Sequence, residues 1–286
     1  MKDSATRVFT ATVVAVVAPQ STDGLVATLS GLSRAGLRAI VISLGEDPEP
    51  ARRDHDGAIV IEGLLPKYLD NAVASLRLSS LPTLAWWRAD DPEILTSLAA
   101  LVDRVVLDVE DPSRFWPLVP DIAAVASVSD VRWARLTRLR ELLAQFFDVP
   151  EVRASASVFD AVHIAGRDPF QARLAAGWLR SRLPAGTRLS VRFEGGVSAP
   201  VESLHLSGEH VTLGMRLLPG STCIETSVQI GAAPASVRVV AAGDSQLESL
   251  IAAELRVRSR DLAFEDAVRA ALLWAFLTKE VGTTTR

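Results

Sequence analysis

Over the first half of the chain, short apolar runs alternate with stretches of helical periodicity. This is the sequence form of βαβ units around a parallel sheet covered on both faces. Val8–Ala18, Arg38–Leu44, Ala58–Glu62, Thr83–Arg88 and Arg104–Val109 read as strands, and Asp23–Ala35, Lys67–Leu78 and Asp91–Val102 as the intervening helices. Asp91 is placed to cap its helix, with Pro92 in the first turn. After a strand at Val158–Ala165 and a helix at Pro169–Leu183 the period changes to two. Arg188–Phe193, Val201–Leu206, Val211–Leu217, Cys223–Ile230 and Ser236–Ala241 alternate as strands, divided by turn residues such as Ser207-Gly208-Glu209 and Pro219-Gly220. Two helices close the chain, the last over Leu262–Lys279 and expected to cover one face of that sheet.

The fold class expected is therefore α/β. An N-terminal domain over residues 1–150, a doubly wound and mostly parallel sheet, is followed by an α+β domain over 151–286 with a largely antiparallel sheet and C-terminal helices. The boundary is placed in the polar, Pro150-containing stretch Asp148–Ser157.

Composition narrows the function. The 286 residues are 49% hydrophobic and 22% charged with a net charge of −4, an ordinary globular balance without the basic stripe that nucleic acid demands. The apolar run Phe9–Pro19 is too short to span a bilayer, so the reading is a cytoplasmic protein with neither membrane nor nucleic-acid partners. A single cysteine, Cys223, excludes an intramolecular disulfide and a cysteine-based zinc site.

Candidate chemistry is sparse, and no catalytic residue, metal site or cofactor emerges. Neither G-x-G-x-x-G nor G-x-x-x-x-G-K-[ST] occurs, and polar capping accounts for the loop Pro19–Gly24. Asp54-His55-Asp56 reads as a charged loop, since adjacent loop residues seldom converge on one ion. Asp160 and His163 sit an odd number of residues apart on one strand and so face opposite sides, and His163 and His205 read as partly buried strand residues. A small-molecule crevice is the alternative: Trp86, Trp87 and Arg88 end one parallel strand and Asp108 ends the next, the place where open α/β sheets bind ligands such as a sugar phosphate or nucleotide.

The most informative segment is Ser129–Asp148, SDVRWARLTRLRELLAQFFD, read as one helix with Asp130 as its N-cap. Trp133, Leu136, Leu139, Leu143, Phe146 and Phe147 share a broad face, expected to dock onto the first domain's own sheet. Arg135 and Arg140 border that face and Arg138 points away. The run WARLTRLRELLAQFFD, preceded by LPTLAWWR at 81–88 and DRVVLD at 103–108 and followed by AGWL at 176–179, closely resembles the OpcA family of glucose-6-phosphate dehydrogenase assembly proteins. The resemblance runs from about residue 8 to residue 183. It implies a non-enzymatic allosteric effector that binds glucose-6-phosphate dehydrogenase and promotes its active oligomer at the entry to the oxidative pentose phosphate pathway. Trp133, Arg135, Arg138 and Arg140 are the candidate partner-binding residues.

Overall fold

The computed structural model describes residues 9–18, 25, 28–29, 31–33, 36–47, 49–55, 57–184, 187–196, 198–257 and 259–281. The expected loop Pro19–Gly24 lies outside them, as do most of the expected helix Asp23–Ala35 and Asp56. The chain forms two compact units, one of residues 1–131 with 245–261 and one of 132–244 with 262–286. They part at Val131 and not in Asp148–Ser157, because Pro150 starts a helix there (Pro150–Ala154) where a linker was expected. The helix expected to end the first domain thus belongs to the second unit.

The first unit is built on seven strands: β1 Ala11–Val17, β2 Leu37–Asp47, β3 Ala51–His55, β4 Ala58–Leu64, β5 Thr83–Arg88, β6 Arg104–Leu107 and β7 Ser127–Asp130. Their order is β3-β4-β2-β1-β5-β6-β7, parallel throughout except for β3, which runs antiparallel to β4. Val13–Val17, Ala39–Ile42, Leu84–Trp87 and Val105–Leu107 are all completely buried, which is why these strands read as unbroken apolar runs. Helices α1 (Leu69–Leu76), α2 (Pro92–Ala99) and α3 (Val119–Val125) lie between successive strands. Asp91 caps α2, its carboxylate accepting from the amides of Glu93 and Ile94. Asp54 and His55 stand in the edge strand β3 rather than a loop, every residue of it exposed.

The second unit begins with the signature segment. It is not one helix but two, α4 (Val131–Arg135) and α5 (Thr137–Phe146), joined at Leu136, whose amide is shared by the carbonyls of Arg132 and Trp133 at 3.2 and 3.1 Å. After α6 (Pro150–Ala154) comes a six-stranded sheet: β8 Phe159–Gly166, β9 Ser190–Gly195, β10 Ser203–Gly208, β11 Val211–Leu217, β12 Cys223–Ile230 and β13 Ser236–Ala241, ordered β13-β12-β11-β10-β8-β9. It is antiparallel apart from β8 and β9, which pair in parallel across helix α7 (Pro169–Arg182). Val162, Ile164, Leu204, Leu206, Val211, Leu213 and Met215 are buried on one face, while His163, His205, Thr212 and Arg216 alternate onto the other.

Helix α8 (Leu247–Glu254) returns to the first unit, and α9 (Leu262–Val281) to the second. Among the described residues no helix is long and apolar enough to cross a membrane.

Candidate functional site

The carboxyl ends of β5 and β6 bring three of the four crevice residues together. Trp86 donates its indole N–H to Asp108 Oδ2 at 3.1 Å, Arg88 Nε stands 3.2 Å from the same oxygen, and the Arg88 guanidinium lies 5.5 Å from the Trp86 ring centre. The Asp108 amide in turn donates to the Trp87 carbonyl at 2.8 Å. Trp86 and Trp87 are both completely buried, so they are core residues and line no open crevice. One carboxylate answers an indole and a guanidinium at once, and this closes the strand end with a self-satisfied cluster.

The next strand end repeats the device. Trp116 donates its indole N–H to Asp130 Oδ2 at 3.2 Å, with Asp130 wholly buried as the last residue of β7. Sequence reasoning missed this pair. The signal was there as a Trp–Asp couple at two successive strand ends, but nothing in the spacing of Trp116 and Asp130 announces their contact.

A cavity of about 440 Å³ opens at the opposite, amino ends of β5, β6 and β7, lined by residues including Arg77, Thr83, Asp103, Arg104, Ser127 and Leu255. Its charged groups are engaged. Arg104 forms a buried ion pair with Glu254 of α8 through both Nε and Nη2, and gives Nη1 to Ser127 Oγ. Asp103 accepts from the Thr83 amide at 2.7 Å, and Arg77 donates to the Leu101 carbonyl at 2.6 Å.

The signature segment faces inward. Trp133 is 1% exposed and packs its ring 5.8 Å from Phe264 of α9, so it is a core residue and not a contact residue. Phe147 meets Phe159 of β8 edge-on at 5.9 Å. Both ring pairs lie within the second unit, not on the first unit's sheet as expected. The Arg140 guanidinium lies 3.6 Å from the Trp133 ring centre and donates to Thr137 Oγ1, and so roofs that tryptophan. Arg138 Nε donates to the Ala241 carbonyl at the end of β13, with Nη1 3.3 Å from Glu141. Arg135 is half-buried, and no ion pair joins it to another described residue.

Another missed pair is Arg132 and Asp168. Asp168 caps α7 through Oδ1, accepting from the Phe170 and Gln171 amides at 3.0 Å, while Oδ2 takes Arg132 Nε at 2.9 Å. The legible part was the Asp168-Pro169 step, the same cap-then-proline signal as Asp91-Pro92.

On the solvent side of the six-stranded sheet His205 stands opposite His163, whose Nε2 is 3.0 Å from Glu194 Oε2. Partial desolvation, then the His163 ring and Arg216, hold the His205 pKa below the usual imidazole value. Asp160 is exposed, and nothing joins it to this pair. Among the described residues no group of three or more potential ligands is arranged to hold a metal ion.

Three curated proteins named "Putative OxPP cycle protein OpcA" resemble this chain. That of Nostoc punctiforme is 34% identical over 120 residues, 39% of this chain and 26% of the relative. The Synechococcus elongatus protein is 34% identical over 136 residues, 43% of this chain and 30% of its own length, and that of Synechocystis is 28% identical over 138 residues, 45% and 29%. The match thus spans less than a third of each relative. A solved structure described as a "probable oxidoreductase yhhX" superposes with a TM-score of 0.57 at 8% identity, covering 96% of this chain and 98% of that one, a likeness of fold alone. The OpcA family model, described as the C-terminal domain of a glucose-6-phosphate dehydrogenase protein, matches residues 126–268, from the strand that carries Asp130 to the helix that carries Phe264. That is half of the 286 residues, and the chain belongs to the OpcA family.

Proposed function

We propose that this protein is a non-catalytic effector that binds glucose-6-phosphate dehydrogenase and promotes its active oligomeric state in the oxidative pentose phosphate pathway. The observation that carries the reading is the family match over residues 126–268, which takes in the signature helices and the whole six-stranded sheet. The relatives' name places them in the same pathway. The strand-end chemistry agrees: Asp108, the one carboxylate among the expected crevice residues, is occupied by Trp86 and Arg88. An effector needs only to bind one state of the dehydrogenase more tightly than another, and the population then shifts toward that state.

Titrating the protein into the dehydrogenase while following both rate and mass tests this. The expected result is a larger complex together with a change in turnover or substrate affinity. No complex at micromolar concentration, with the chain itself stabilised by a sugar phosphate or nucleotide, overturns it in favour of a small-molecule sensor or enzyme.

A further inference from the structure

The two sheets have four edge strands, and three are protected. Edge β3 carries Arg52, Arg53, Asp54 and His55, all exposed, with Arg53 paired to Glu62. Edge β7 is buried along all four residues. Edge β9 carries Arg192 and Glu194, the latter paired with His163. Charge and cover are the ordinary means by which an open edge is kept from pairing with another chain.

Edge β13 has neither. Its sequence is SVRVVA, five of its six residues are exposed, and Val237 and Val239 are 53% and 57% exposed. It pairs with β12 alone, so every second backbone N–H and C=O along it points away from the sheet. The carbonyl of Ala241 is taken by Arg138 of α5, which fixes the far end and leaves Ser236–Val240 open. The register places Val237 and Val239 on the solvent side, opposite Ser227 and Glu225, and Arg238 on the other side, opposite Thr226. Arg238 is exposed, and among the described residues no carboxylate pairs with it.

We propose that β13 is a docking edge for an extended segment of the dehydrogenase, which adds to it as a seventh strand with apolar side chains over Val237 and Val239 and a carboxylate beside Arg238. Main-chain hydrogen bonds supply the affinity in this mode and alternate side chains the specificity. Charge selects the occupant. A second copy of this chain offers SVRVVA, which holds no acid for Arg238, whereas an acidic, valine-rich or isoleucine-rich strand satisfies both sides of the edge. The proposal rests on the reading of the protein as a dehydrogenase-binding factor and deepens it by naming the surface.

Hydrogen exchange over residues 236–241, measured on the full chain with and without the dehydrogenase, tests it directly. The β13 amides are expected to slow on complex formation. Arg238→Glu is expected to weaken binding by about tenfold while Arg238→Lys restores most of it, both variants melting as the parent does. A complex that forms with β13 exchange unchanged overturns the docking edge and leaves the effector reading standing. No complex overturns the effector reading and this proposal with it. Protection of β13 in the chain alone that vanishes on dilution assigns the edge to a second copy and likewise overturns the proposal.

Discussion

Arg140 lies over the ring of Trp133, and Trp133 is buried against Phe264, so the cation seals a core tryptophan. Arg140→Ala is expected to cost about 1 kcal/mol of stability, seen as a lower urea midpoint and a shift in tryptophan emission, with dehydrogenase binding retained. The Arg104–Glu254 pair has more at stake, since both side chains are more than nine-tenths buried. Glu254→Ala leaves a guanidinium uncompensated in the interior and is expected to cost about 3 kcal/mol, whereas Arg104→Met combined with Glu254→Met recovers most of that loss. A chemical denaturation series on the three variants checks both statements.

His205 gives a pH dependence of known sign. Its folded pKa is lowered, so the unfolded chain takes up a proton first as the pH falls through the ordinary value of 6.5. Stability is fully present above that value and declines below it, down through the folded pKa. The groups facing this ring across the strands are His163, Glu194 and Arg192 on one side and Arg216 and Glu225 on the other. Denaturation midpoints for the parent and His205→Gln at roughly pH 7.5 and pH 5.5 check it, the variant showing the smaller decline.

At the scale of elements, Gly177 explains why α7 and α9 pack so closely: a Cβ there would run into the carbonyl of Ala267. Gly177→Ala is expected to destabilise the protein by about 2 kcal/mol, because backbone rather than a flexible side chain has to give way. Asp168 joins two tasks, capping α7 and holding Arg132. Asp168→Ala is expected to cost about 2 kcal/mol and Asp168→Asn about half as much, since the amide still caps. Thermal unfolding of the pair separates the cap from the ion pair.

The elements also show what a sequence can reveal. Strands buried on both faces, such as β5, are legible because every position is apolar. Those of the second sheet are legible because one buried face enforces period two, and the expected limits of β11, β12 and β13 coincide with the observed ones. Edge β3 is not legible, since Ala51–His55 is exposed on every side and carries no period. Nor is β7, whose Ser127, Ser129 and Asp130 are buried polar residues in a strand with a single apolar side chain. The aromatic stripe of the signature segment was legible as a buried face, but not the partner it is buried against. Phe264 lies more than a hundred residues further along and joins it only through the tertiary fold. For the same reason the four candidate contact residues divide: Trp133 turns inward, Arg140 and Arg138 serve the fold, and Arg135 is left for a partner. Arg135→Ala is therefore the informative single substitution of the set, expected to lower dehydrogenase affinity without moving the melting temperature.

At the scale of the whole molecule, the chain passes between its two units three times, after Val131, after Asp244 and after Asp261. The segment Ser245–Asp261 supplies α8, and with it the Glu254 carboxylate that neutralises Arg104. A fragment of residues 1–131 is accordingly expected to be incompletely folded, with weak amide protection in β5 and β6, and a separate peptide of 245–261 to restore part of that protection. On the ribosome the same arrangement imposes an order. The first sheet emerges early but waits for its last helix until all of 132–244 has been made, so the half that begins first cannot finish first.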